Sequence, residues 1–200
     1  MGDLLITEVM ANPAEVSDSA GEWFEIINTT ADDIDLNGII LLDNGSNQHT
    51  VVSDAALLLQ SGAYFTFGRN GDSSINGGYQ TDYTYSNFTL GNSSDAIILT
   101  TATTEIDRLL YSGSVFSQAG NSAELTPSGF ALTASEFIFG LGDIGSPGAS
   151  GSFFPAVDII DSSFGEDSGA VNVPEPATSL LMLLGITGLI AGRWKSNVLS

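Results

Sequence analysis

From Leu4 to Leu125 the chain is a succession of short runs in which apolar and polar side chains alternate, each closed by Gly, Asn, Asp or Pro. The first, Leu4 to Met10, sets Leu5, Thr7 and Val9 against Ile6, Glu8 and Met10 and stops at Asn12-Pro13. Gly21-Glu22-Trp23-Phe24-Glu25-Ile26-Ile27-Asn28 and Asp35-Leu36-Asn37-Gly38-Ile39-Ile40-Leu41-Leu42-Asp43 follow, both rich in the aromatic and β-branched residues that fit a pleated, half-buried surface. Asn44-Gly45 predicts a hairpin turn with positive φ, returning along His49 to Val52. Ala55 to Gln60 is one helical turn or a loop, and Gly62 to Gly68 is a strand with Phe65 and Phe67 on one face. After a long Gly, Asn, Ser and Asp-rich loop from Asn70 to Asp82, the pattern predicts an edge strand at Tyr83 to Leu90 and a buried one at Asp95 to Thr100. Its hairpin partner falls at Glu105 to Tyr111, and a last short strand at Gly120 to Leu125. About nine strands without a long amphipathic helix describe an all-β sandwich.

Three of these stretches carry a resemblance. Ile6-Thr7-Glu8-Val9-Met10-Ala11-Asn12-Pro13, the run from Gly21 to Asn28 and Asp35-Leu36-Asn37-Gly38 resemble the opening of the lamin-tail domain, an immunoglobulin-like module frequent in secreted bacterial proteins. Phe137 to Gly148 is similar to the Gly- and Pro-containing closing segment of its bacterial members. The resemblance implies an immunoglobulin-like β-sandwich over residues 1–150.

Beyond it, residues 151–172 read as a Gly, Ser and acid-rich tether, with a final strand of the sandwich as the alternative. Residues 173–200 are different in kind. Val173-Pro174-Glu175-Pro176 precedes an uncharged apolar run from Ala177 to Gly192, which is closed by Arg193-Trp194-Lys195. As a helix this run would be about 24 Å long, near the lower limit for a hydrocarbon core of about 30 Å. Arg193 and Lys195 act as a membrane stop that favours the cytoplasmic side, and Trp194 suits the headgroup level. The prolines hold the backbone around Glu175 extended, within reach of a processing enzyme.

The arrangement resembles the PEP-CTERM sorting signal, with Val173, Pro174, Glu175 and Pro176 as its recognition element. That resemblance implies an exosortase, a membrane-bound cysteine transpeptidase, as partner. It also implies transient membrane anchoring followed by release to the surface or extracellular matrix of a Gram-negative bacterium, with exopolysaccharide or other surface proteins as further partners. Met1-Gly2-Asp3 leads into the first strand with no apolar targeting region, so either the true N-terminus, with the export signal that such a tail calls for, lies upstream of Met1, or Met1 is an artificial or wrongly assigned start.

Charge narrows the partners. The 24 Asp and Glu residues against 4 Lys and Arg give a formal net charge of −20, which repels nucleic acid and anionic headgroups. With Arg193 and Lys195 in the tail, only Arg69 and Arg108 remain for the rest. Cysteine is absent, which excludes disulfides and thiolate chemistry.

Catalytic residue types are few. His49 is the single histidine, so a Ser-His-Asp site would have to use it. No Gly-x-Ser-x-Gly elbow accompanies it, and it is expected as a surface or partly buried strand residue. Glu8 and Glu25 interrupt strongly apolar strands, and a carboxylate on an inward face needs hydrogen bonds or a cation. They are read as structural carboxylates, with a calcium or paired-acid site and solvent exposure as the alternatives. The Asn70 to Gly78 loop offers oxygen ligands but lacks EF-hand spacing, so no cofactor is expected and calcium is the alternative there. The leading expectation is a non-enzymatic, exported surface or matrix protein. The alternative is a calcium-dependent hydrolase using Glu8, Glu22 and Glu25, or an accessory module of a truncated secreted enzyme.

Overall fold

The first two apolar runs pair with each other and form the middle of the larger sheet. In a computed structural model, which describes residues 3–153, β1 (Leu4–Met10) lies antiparallel to β2 (Trp23–Asn28). Eight of the remaining strands complete two sheets: β4 (Ile40–Leu42), β5 (Gln48–Thr50), β7 (Tyr64–Gly68), β8 (Tyr83–Thr84), β9 (Ser94–Thr100), β10 (Glu105–Ser112), β11 (Ala123–Thr126) and β12 (Gly129–Leu132). The six-stranded sheet runs β12-β11-β1-β2-β7-β8, and the four-stranded sheet β10-β9-β4-β5. β3 (Ile34–Asp35) and β6 (Leu58–Leu59) form a separate two-stranded ladder. Two four-residue helices, α1 (Asp18–Gly21) and α2 (Ser114–Ser117), complete the described elements of an immunoglobulin-like β-sandwich.

Of the twelve strands three have only two residues, too short for an alternating pattern to register. One is β6, which occupies the segment read as a helical turn or loop. β12 was not expected at all; Thr126 closes its turn onto β11 by donating from Oγ1 to Gly129 O at 2.6 Å. The β4–β5 hairpin also differs from expectation, because neither Asn44 nor Gly45 adopts positive φ. Asp43 Oδ1 closes it instead, accepting Gly45 N at 2.7 Å and Asn47 N at 3.1 Å, the side-chain substitute for a backbone turn.

The inner faces meet in one core. Ile6, Val9, Phe24, Ile26 and Phe67 of the larger sheet face Leu41, Ile97, Leu99 and Tyr111 of the smaller, and Phe24 stacks on Phe67 with ring centroids 4.9 Å apart. Strict alternation along β1 would put Glu8 on the core face with Ile6. A bulge prevents it: the β1–β2 register shifts between Ile6 and Glu8, so that Ile6 stands opposite Ile26 but Val9 opposite Phe24. Glu8 and Met10 thereby turn to the sheet's other face, beside Glu25 and Trp23.

That other face is covered as well. Met10, Trp23 and Tyr79 form a second buried cluster, closed by Phe139 with Trp23–Phe139 centroids 6.0 Å apart. The sheets are also tied at one edge, where the Ile6 amide donates to Asp107 Oδ2 at 2.8 Å beside a register shift in β10. No helix among the described residues is long and apolar enough to cross a membrane; the helix expected over Ala177 to Gly192 lies outside them.

The core predicts its own sensitivity. Phe24→Ala, which empties a fully buried ring site, is expected to cost about 3–5 kcal/mol in chemical denaturation. Leu110→Ala, at a side chain 59% exposed on β10, should change stability by no more than about 0.5 kcal/mol. Equal losses at the two positions would mean that the inner faces are not packed as described.

Candidate functional site

The bulge in β1 has a chemical consequence: it lines up carboxylates. On the outer face of the larger sheet Glu124 of β11 stands opposite Glu8 of β1, Glu8 opposite Glu25 of β2, and Glu25 opposite Thr66 of β7. The three glutamates are 2%, 1% and 1% exposed. No cation reaches them among the described residues. Arg69 pairs with Glu22 at 3.1 Å and Arg108 with Glu105 at 2.6 Å.

Neutral donors take the place of cations. Glu8 accepts the hydroxyls of Ser122, Thr133 and Ser146, and the Ser146 amide at 3.0 Å. Glu25 accepts Thr7 Oγ1 at 2.7 Å and the Gly148 amide at 2.7 Å. Glu124 accepts the Phe153 amide at 2.9 Å. The closing segment after β12 thus crosses the outer face of three strands, with a backbone N–H over each carboxylate. Its small residues are a steric requirement. A Cβ at Gly145 would stand 2.9 Å from Trp23, and one at Gly151 would meet the Glu124 carboxylate at 2.0 Å. Residues 151–153, the start of the segment read as a tether, are therefore seated on β11.

Burial raises the pKa of Glu8 and of Glu25. Glu25 is pushed up to about 9, first by desolvation and then by the neighbouring Glu8 charge, against the Thr7 and Gly148 hydrogen bonds. Desolvation raises Glu8 too, although the hydrogen bonds from Ser122, Ser146 and Thr133 oppose it. Tyr64 is pushed up to about 12 by burial and by the charges of Glu25, Glu124 and Glu8.

The acceptor atoms of Glu8 and Glu25 are thus taken up by N–H and O–H groups, an arrangement that clamps a segment in place. Among the described residues no group of three or more His, Asp or Glu is placed to hold a metal ion. The Asn70 to Gly78 loop spends its oxygen atoms on itself: Asp72 Oδ1 accepts the Ser74 amide and hydroxyl, and Asn76 Oδ1 accepts the Gly78 amide at 3.0 Å. Glu22 holds another junction, where Oε2 receives both Arg69 Nη1 at 3.1 Å and the Leu90 amide at 3.2 Å; desolvation raises its value to about 7.

His49 is a latch between strands. The Ser86 amide donates to Nδ1 at 3.2 Å, which leaves the proton on Nε2, 3.0 Å from Tyr83 Oη. Burial moves its value down, favouring the neutral ring. Its described hydrogen-bond partners include no carboxylate, so the residues of a Ser-His-Asp site are not brought together. Glu124 was missed in the sequence, although it has the same signature as Glu8 and Glu25, a lone acid between Ala123 and Leu125. Val173, Pro174, Glu175, Pro176, Arg193 and Lys195 lie outside the described residues.

The raised values fix the sign of a pH dependence. Because Glu22 and Glu25 stand at about 7 and about 9 in the folded protein, against an ordinary 4.5, the unfolded chain ionises first. Their contribution to stability is complete below about pH 4.5 and is lost as pH rises through those two values. Glu25→Gln, an uncharged isostere, should flatten the upper limb and stand about 1–3 kcal/mol above wild type at pH 9. Thermal melts from pH 5 to 10 test this, and parallel curves for the two proteins would refute it.

Comparison with known proteins accounts for both parts of the chain. The family model for the Lamin Tail Domain matches residues 1–113, from the first strand through β10, and the PEP-CTERM protein-sorting motif matches residues 172–196. No curated protein matches the chain. The sorting motif implies recognition by an exosortase and supports export and sorting to the cell envelope or surface. With the first match spanning more than half of its 200 residues, the chain belongs to the Lamin Tail Domain family.

Proposed function

We propose that this chain is a non-enzymatic, exported protein of the cell surface or extracellular matrix of a Gram-negative bacterium, whose sandwich is a structural or binding module. The observation that carries the reading is the sorting motif at residues 172–196, following a strongly acidic immunoglobulin-like module. Exosortase acts on Val173-Pro174-Glu175-Pro176 after the apolar run has held the chain in the membrane, with Arg193 and Lys195 as the stop. The module then meets exopolysaccharide or another surface protein, while its negative charge keeps it from nucleic acid.

The carboxylate row supports a structural role for Glu8 and Glu25. A general acid or nucleophile must reach a substrate, whereas these two are 1% exposed and covered by the closing segment. The same hydrogen bonds weigh against a calcium-dependent hydrolase built on Glu8, Glu22 and Glu25.

Mass spectrometry of the C-terminus after fractionation of the native host tests the sorting half of the proposal. Wild-type protein at the surface or in the medium should lack Arg193 to Ser200. Glu175→Ala should accumulate in the membrane fraction with that end intact. An intact C-terminus in cytosolic wild-type protein would overturn it.

A further inference from the structure

Away from the glutamate row, at the end of the sandwich where the chain enters β1, a cavity of about 480 Å³ opens between Asp3, the β3–β4 connection and the β9–β10 hairpin. Its volume falls within the roughly 300–1,000 Å³ of small-ligand sites. The wall divides into two chemistries: half-buried Ile34 and Ile106 supply hydrocarbon over the buried Leu4 and Ile39, and Asp3 and Asp35 supply exposed carboxylates.

Other polar lining groups are already committed. Asn37 donates from its amide to Ala55 O at 2.8 Å and accepts the Ser53 amide at 2.7 Å, while Thr101 Oγ1 accepts the Thr104 amide at 3.1 Å. Asp35 is set in place by the Asn37 and Leu57 amides, both 3.0 Å from Oδ1, and these hold its carboxyl below the ordinary value. Neither Asp3 nor Asp35 has an ion-pair partner among the described residues, because Arg69 and Arg108 are held by Glu22 and Glu105.

Among the described residues no cation is left for these two carboxylates, and the aliphatic wall decides which kind another molecule could bring. A hydrated metal ion gains nothing from the branched side chains of Ile34 and Ile106, and two carboxylates supply few of the oxygen ligands that calcium takes. A cation on a hydrocarbon stem satisfies both halves of the wall. We propose that this cavity binds an aliphatic ammonium group, with its stem against Ile34 and Ile106 and its charge at Asp3 and Asp35. A lysine side chain of a partner and a free alkylamine share that chemistry.

An exposed ion pair contributes little by itself, so most of the affinity must come from the stem. The full chain is titrated with n-alkylammonium ions from methyl to hexyl and with uncharged n-hexanol, following isoleucine methyl resonances. Affinity is expected to rise by about fourfold per methylene. The shifts should fall on Ile34, Ile39 and Ile106, with hexanol binding more weakly than hexylammonium. Asp3→Asn and Asp35→Asn should each weaken hexylammonium by about two- to fivefold, and Asp72→Asn on the distant loop should leave it unchanged.

Methylammonium binding as tightly as hexylammonium would reduce the effect to attraction by an acidic surface and overturn the proposal. Equal binding of hexanol, shifts away from the three isoleucines, or an equal effect of Asp72→Asn would do the same. These wild-type comparisons stand even if a variant fails to fold. Finally, Nα-acetyl-lysine amide binding more tightly than 1,5-diaminopentane assigns the site to a partner's lysine, and the reverse order assigns it to a free polyamine. Binding of neither overturns the proposal.

Discussion

Three carboxylates lie inside this protein with no cation beside them among the described residues, and the hydrogen bonds that reach them decide how the outer face of the larger sheet is built. An ionised carboxylate transferred from water into a protein interior is very costly unless it is paired, and here the pairing is done by serine and threonine hydroxyls and by backbone N–H groups. The amides of Ser146, Gly148 and Phe153 come from the closing segment, so the segment cannot leave without uncovering Glu8, Glu25 and Glu124. Equally, the row cannot form unless β1 bulges, because an unbroken strand would have sent Glu8 into the main core beside Ile6. Bulge, row and closing segment depend on one another. Together they give the sheet a second buried face, with Met10, Trp23 and Tyr79 under Phe139 as its apolar part.

The sandwich itself was legible because alternation and turn chemistry are local. Leu4–Met10, Trp23–Asn28, Tyr64–Gly68, Ser94–Thr100 and Glu105–Ser112 are strands close to where the pattern puts them. What escaped the pattern depends on contacts between distant segments. The bulge at Thr7 adds one residue to a run whose composition does not change, so period two carries the reader through it with the wrong face. Asp43 closes its hairpin through its side chain, although the neighbouring Asn-Gly pair signals a positive-φ turn.

The candidate site was half legible for the same reason. Glu8 and Glu25 stand out as acids in apolar strands, a local signal. Their alignment with Glu124, about a hundred residues later in the chain, is a matter of sheet order, which alternation does not encode. The partners were still harder to read, because Gly145, Ser146, Gly148 and Gly151 look like linker composition. In the structure their lack of bulk lets the backbone approach the carboxylates and Trp23. A Gly- and Ser-rich stretch is evidence of flexibility only where nothing requires so close an approach.

The shortage of cations links these features to the surface. In the described residues two arginines serve all the acids, and each is already bound, one at a junction between β2 and the loops after β7 and the other within β10. Glu8 and Glu25 are consequently held by neutral donors and have raised pKa values, whereas Asp3 and Asp35 are exposed and face solvent. A protein composed in this way is a poor ligand for nucleic acid or anionic lipid and a good one for cations, since solvent-exposed charge is only partly screened at physiological ionic strength. Specificity among cations cannot come from the charge, which is spread over the whole surface. It has to come from the places where charge adjoins shaped hydrocarbon, and the end of the sandwich at Ile34 and Ile106 is such a place.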